Sequence, residues 1–269
     1  MTNLPAKTGW LWIRQGFQYF KQQPMEFISL FLAYLFFVLI IGLISYGVSG
    51  LIPHIGQLLT FICLPLFTLP FMQACKGLDQ GQRVHPLLML TGLRSPQLPS
   101  LLMLGLLYLL AAWVALLAST LIDGGLFMQL LTESDKLDPS ALEDGAMAAA
   151  MLFAMLIYGL ALMALWFAAP LIAWQEMPLF KAIFYSFFSA LKCFPAFIVY
   201  ALSWFAVAGI APAILMIMVA SMTGSQDAVV MLMVPVSLIS NVILYCTFYP
   251  SYKSMFGPAE TETVSSTIS

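Results

Sequence analysis

Six apolar runs, at about residues 27–49, 56–75, 98–122, 147–173, 197–220 and 228–249, take up more than half of this 269-residue chain. Each reaches the roughly 20 residues that a helix needs to cross about 30 Å of hydrocarbon. Inside hydrocarbon, backbone N–H and C=O groups must be paired within their own segment, so runs of this length fold as helices. The pattern predicts an all-α integral membrane protein with six transmembrane helices. Composition agrees: 62% of the residues are hydrophobic and 8% are charged. A soluble domain carries about 25% charged residues, and a water-facing surface this poor in charge aggregates.

The cations give the threading. Lys7, Arg14, Lys21, Lys76, Arg83, Arg94, Lys181, Lys192 and Lys253 lie in alternate gaps between the runs, and Lys136 alone lies in the others. The positive-inside rule then predicts that both termini are cytoplasmic. Acids gather on the opposite side, at Asp123, Glu133, Asp135, Asp138, Glu143, Asp144 and Asp227. The first run starts near Phe27, after an amphipathic lead, and is long enough to span. It is expected to be a retained anchor and not a cleaved signal. Residues 1–257 are expected to form a single polytopic domain. The Thr/Ser/Glu-rich stretch 258–269 is expected to be a disordered cytoplasmic tail.

The inner gaps carry their own helical pattern. Trp10, Ile13, Phe17 and Phe20 recur at helical spacing opposite Arg14, Gln15, Gln18, Lys21 and Gln22. Before the fifth run, Phe180, Ile183, Phe184, Phe187, Phe188 and Leu191 share one face, with Lys181, Tyr185, Ser189 and Lys192 on the other. Both stretches predict amphipathic helices in the interface plane. A shorter version begins at Pro86. Phe17-x3-Lys21-x2-Pro24 matches Phe188-x3-Lys192-x2-Pro195, and Pro70, Pro170 and Pro250 lie near the inner ends of the returning spans. This order of elements predicts a threefold helical-hairpin repeat, all copies in the same orientation. Trp10, Trp12, Arg14, Lys21, Lys181 and Lys192 are the expected contacts with the membrane interface and its lipids, where each cation attracts anionic headgroups by about 1 kcal/mol.

Candidate chemistry is sparse. The central stretches of the runs hold no ionisable residue, which argues against ion-coupled pumping. Asn241 is the main polar side chain in mid-span. It is expected to bond a neighbouring helix, and the alternative is a cavity or solute path near Asn241, Pro170 and Pro235. Met147, Met151 and Met155 form a thioether ladder without a nearby Cys or His, so copper handling is not expected. Cys63, Cys75, Cys193 and Cys246 show no zinc spacing, and none lies in an outer gap where a disulfide would form. The acidic outer loop lacks a calcium-loop pattern. Gly77-Leu-Asp-Gln-Gly81 lacks the Lys-Ser/Thr of a phosphate loop. No cofactor, metal or nucleic-acid partner is expected, and no catalytic set is visible. Ala111, Ala115 and Ser119, with Ala146, Ala150 and Ala154, let helix backbones approach within the monomer.

The lead Gly9-Trp10-Leu11-Trp12-Ile13-Arg14-Gln15-Gly16-Phe17, followed by Pro24, resembles the start of an uncharacterised family of multispanning proteobacterial inner-membrane proteins. Ile52-Pro53-His54-Ile55-Gly56, Gly77-Leu78-Asp79-Gln80-Gly81 and Leu104-Gly105-Leu106-Leu107-Tyr108 are similar too. The architecture is also similar to the membrane portion of some glycerophosphodiester phosphodiesterases, without their catalytic half. The resemblance implies the bacterial inner membrane and no particular activity. The expected function is a non-enzymatic protein that organises an envelope complex or its local lipid environment, with membrane lipids and other inner-membrane proteins as partners. The alternative is a passive carrier or channel for a lipid-like or small apolar solute.

Overall fold

The computed structural model of the chain describes residues 4–48, 55–132 and 145–257. These are helical almost throughout, with no strand among the described residues. Most of the acidic outer loop, the first outer turn with His54, and the tail lie outside the described residues. Five segments are long and apolar enough to cross a bilayer, against six runs in the sequence: Pro24–Gly47, Leu98–Asp123, Gly145–Gln175, Phe194–Thr223 and Gln226–Phe256. The run at 56–75 lies in a further 25-residue helix, α3 (Ile55–Asp79), which carries Pro65 and Pro70.

The chain divides into two compact units. The larger unit, Gln23–Phe194, begins with α2 (Pro24–Val48), α3 and a short 3₁₀ turn (Pro86–Leu90). It continues with α4 (Leu98–Asp123), α5 (Leu126–Thr132), α6 (Gly145–Leu165), α7 (Ala168–Gln175) and α8 (Leu179–Lys192). Pro24 opens α2, where its missing N–H costs nothing. Small residues set the helix spacing. Ala115 and Ser119 of α4, and Ala150 and Ala154 of α6, are buried where these two helices pack. On another side of α4, Gly105 lies directly against the Ile62 carbonyl of α3, with no room for a Cβ.

The apolar segment α6–α7 is broken at Trp166–Phe167. Pro170 explains the break, because it cannot donate to the Trp166 carbonyl one turn earlier. α8 repairs it. The Ser186 hydroxyl accepts from the Phe167 N–H at 3.0 Å and donates to the Met163 carbonyl at 3.2 Å. A side-chain hydroxyl thus stands inside the interrupted i→i−4 ladder. Tyr108 of α4 donates to the Leu165 carbonyl at 2.9 Å, so the backbone at the break stays paired.

The second unit joins Met1–Gln22 to Pro195–Ser269. It holds α1 (Thr8–Gln22), α9 (Phe194–Trp204), a π-helical segment (Phe205–Ile210), α10 (Ala211–Thr223) and α11 (Gln226–Phe256). α1 docks through its small face. Gly9 meets the Ala196 carbonyl and the Tyr200 backbone, and Gly16 meets Thr247. Trp12 is 1% exposed; its Nε1–H donates to Ser254 Oγ at 2.9 Å, and its ring meets the edges of Phe197 and Tyr200. Tyr200 and Thr247 share a buried hydroxyl–hydroxyl bond of 2.7 Å. α11 runs through both Pro235 and Pro250 to Phe256, so the expected inner end near residue 249 lies seven residues short of the helix end.

Candidate functional site

The amphipathic helices α1 and α8 have three faces, where the sequence pattern suggested two. In α8 the buried residues are Ala182, Ser186, Ser189 and Ala190, the small ones. The aromatic ridge points away from the fold: Phe180 is 77% exposed, Phe184 60% and Phe188 39%. The physical reason is the solvent. Lipid accepts phenyl rings, while close docking onto another helix requires small side chains. α1 follows the same rule. Trp10 and Phe17 are exposed, whereas Gly9, Trp12, Ile13, Gly16 and Phe20 face the protein.

Of the expected interface residues, Trp10, Arg14, Lys21, Lys181 and Lys192 are exposed. Trp12 is not, and belongs to the core of its unit, where its indole N–H has Ser254 as a partner. Lys21 Nζ sits 4.7 Å from the Phe17 ring centre, and Lys181 Nζ 5.9 Å from that of Tyr185. In the larger unit Lys76 Nζ lies 4.7 Å from the Trp174 ring centre. Each pair places an ammonium beside a ring that is at home at headgroup depth.

Asn241 and the prolines are placed differently from one another. Asn241 Nδ2 donates to the Ser237 carbonyl of its own helix at 2.8 Å, and not to a neighbouring helix as expected. Its side chain lines an open cleft of about 190 Å³ with Trp204, Ala208, Pro212, Ser237 and Ser240. The opposite wall is the π segment, where the Ala211 N–H reaches back to the Ala206 carbonyl. Pro212 follows at once and cannot donate to the Ala208 carbonyl. Pro235 is on α11 but does not line the cleft. Pro170 is buried in the other unit, at the α6–α7 break.

A second cavity, of about 260 Å³, lies in the larger unit between α3, the segment after the 3₁₀ turn, and α7. Gln73, Thr91, Ser95 and Trp174 line it. The sequence pattern gave no warning of Gln73 or Ser95. The available signal was Leu69, Gln73 and Lys76, which fall on one face of α3 at helical spacing.

Among the described residues no group of His, Cys, Asp and Glu is arranged to hold a metal ion. Long apolar helices with exposed Leu, Ile and Phe and with small-residue packing between them define a multi-pass α-helical membrane protein. The chain is 34% identical over 266 residues to a probable inner membrane protein of Burkholderia thailandensis, covering 97% of this chain and 95% of that relative. It belongs to the family of that inner-membrane protein. No protein-family model matches the chain, and no solved structure does. The expected likeness to the membrane portion of glycerophosphodiester phosphodiesterases finds no support in these comparisons.

Proposed function

We propose that the protein is a non-enzymatic organiser of an envelope complex or of the lipid around it, working through the basic and aromatic faces of its in-plane segments. Both termini face the cytoplasm in this reading, and α3 is a sixth span. The observation that carries it is the pairing of Lys21 with Phe17, Lys76 with Trp174 and Lys181 with Tyr185. Such pairs hold positive charge at the depth of anionic headgroups.

The threefold repeat belongs to the same proposal. Three small residues support it: Gly16, Gly92 and Ser186. Each abuts a returning helix three or four residues before a proline, at Thr247 before Pro250, Leu66 before Pro70, and Phe167 before Pro170. In each case the in-plane segment docks on the hairpin that precedes it in the repeat, with α1 taking the last one.

Lipid-resolved mass spectrometry of the gently purified protein tests the function. Anionic phospholipid should be enriched over the bulk membrane. Replacing Arg14, Lys21, Lys181 and Lys192 together by Gln should remove most of that enrichment, at about 1 kcal/mol per cation. A wild-type lipid profile equal to the bulk membrane overturns the reading. Reporters fused after Ser269 and near Lys136 test the threading, with the first expected inside the cell and the second outside.

One observation favours the alternative of a passive carrier or channel. The Asn241 cleft has serine and asparagine on one wall and a π segment on the other, and π segments recur at functional sites. Flux of a small apolar solute into vesicles, abolished by Ser240→Leu or Asn241→Leu, would support it. Equal flux through protein-free vesicles would end it.

A further inference from the structure

We infer that the cavity between α3 and α7 is a specific site for the phosphate headgroup of an anionic phospholipid of the inner leaflet. The inference rests on the lipid-organising reading and narrows it from a diffuse attraction to one built site.

The cavity lies where the polypeptide leaves the hydrocarbon. α3 carries Lys76 in its last turn and ends at Asp79, and α7 ends at Gln175. By the distribution of cations this is the cytoplasmic end. Two side chains of its lining, Gln73 and Ser95, have protons to offer. Gln73 offers a side-chain amide, and no hydrogen bond among the described residues uses it. Ser95 Oγ already accepts from the Gln97 N–H at 3.2 Å, which leaves its hydroxyl proton to donate. Thr91 is the reverse: its hydroxyl donates to the Leu88 carbonyl at 2.6 Å and so presents lone pairs. It would meet a headgroup hydroxyl and not a phosphate oxygen.

A cation stands beside the lining. Lys76 is one turn beyond Gln73 on the same face of α3, and its ammonium is held over the Trp174 ring that lines the cavity. It makes no ion pair among the described residues. Arg94 precedes Ser95 and is exposed. An amide and a hydroxyl in the lining, with an ammonium held against the Trp174 wall, suit a phosphodiester, whose negative charge strengthens each hydrogen bond. The volume, about 260 Å³, is below the range of roughly 300–1,000 Å³ that encloses a drug-sized molecule. It suits a headgroup whose acyl chains remain in the bilayer. Basic pockets between spans on the cytoplasmic side are a recognised mode of lipid recognition.

The test is native mass spectrometry of the full chain released from nanodiscs of phosphatidylglycerol mixed with phosphatidylcholine. Wild type should keep a discrete phosphatidylglycerol adduct under activation that strips phosphatidylcholine. Lys76→Gln and Gln73→Leu should each weaken that adduct by about tenfold or more, the loss expected for a hydrogen bond to a charged group. Lys76→Arg should retain it, which separates charge recognition from misfolding. The variant lacking Arg14, Lys21, Lys181 and Lys192 should lose diffuse enrichment yet keep this adduct, so the site and the wider reading fail separately. The inference is overturned if the two lipids are retained equally by wild type, or if Lys76→Gln and Gln73→Leu bind like wild type. It is also overturned if inorganic phosphate or glycerol 3-phosphate displaces the lipid at equal concentration.

Discussion

Ser186 and Phe167 form a splice: a hydroxyl on one helix occupies the backbone gap of another, accepting the Phe167 N–H at 3.0 Å while donating to the Met163 carbonyl. Proline residues in membrane helices leave backbone groups that lipid cannot satisfy, and a neighbouring serine is one of the few remedies. Ser186→Ala should therefore destabilise the protein by about 1–3 kcal/mol, the cost of stranding buried polar groups. Thermal unfolding in detergent measures it as a lowered midpoint.

Ser189, one turn along α8, provides the contrast. Its Oγ is buried and, among the described residues, lacks a hydrogen-bond partner. Removing an unpaired buried hydroxyl relieves a desolvation cost. Ser189→Ala should leave the unfolding midpoint unchanged or raise it, and a drop as large as that of Ser186→Ala would contradict the geometry.

Gly105 and Gly16 are close-approach positions. In a helix, Gly→Ala ordinarily adds about 1 kcal/mol of stability. Here a Cβ meets the Ile62 carbonyl in one case and Thr247 in the other. Both changes should reverse sign and destabilise by about 1–3 kcal/mol through overpacking. Gly42 and Gly47, which have open space around them, supply controls in which Ala should be stabilising.

Tyr200 and Thr247 should be coupled. A double-mutant cycle of Tyr200→Phe and Thr247→Val is expected to give an interaction of about 0.6–1.7 kcal/mol, the span measured for hydrogen bonds between membrane helices. Additive effects would mean that the 2.7 Å contact does not contribute to stability.

Glu176 closes α7 in the left-handed region, at φ 51°. A residue with a Cβ is strained there by roughly 1–2 kcal/mol, and glycine is not. Glu176→Gly should raise the unfolding midpoint. An unchanged or lowered midpoint would show that the carboxylate contributes more than the backbone strain costs.

Much of this arrangement was legible in the residues. Hydrocarbon forces long apolar runs into helices, and among the described residues five of the six expected spans are helices long and apolar enough to cross, while the run at 56–75 lies in α3. Pro86 begins the short element it was expected to begin. The break before Pro170 was foreshadowed by the proline, but its repair was not. Ser186 is an ordinary residue on an amphipathic helix until its neighbour is known. Trp12 misled for a related reason. Tryptophan is common at the bilayer interface, and only tertiary contact reveals that its N–H reaches Ser254, which is 242 positions away. The third face of α8 was missed because apolar character identifies the core in water but not in lipid. There, small side chains identify it, and the spacing of Ala182, Ser186 and Ala190 was the informative stripe. The cavity at Gln73 escaped notice because its walls come from three separate stretches of chain.

The docking of α1 against α9 and α11 has a temporal side. Its partners follow it in the chain by well over a hundred residues, so Gly9, Trp12 and Gly16 emerge from the ribosome with their binding face uncovered. A nascent chain cannot seat α1 until both α9 and α11 have been made. A chain cut short before α11 would leave Gly16 without Thr247 and Trp12 without Ser254, an exposed small-residue face that marks the unit as unfinished.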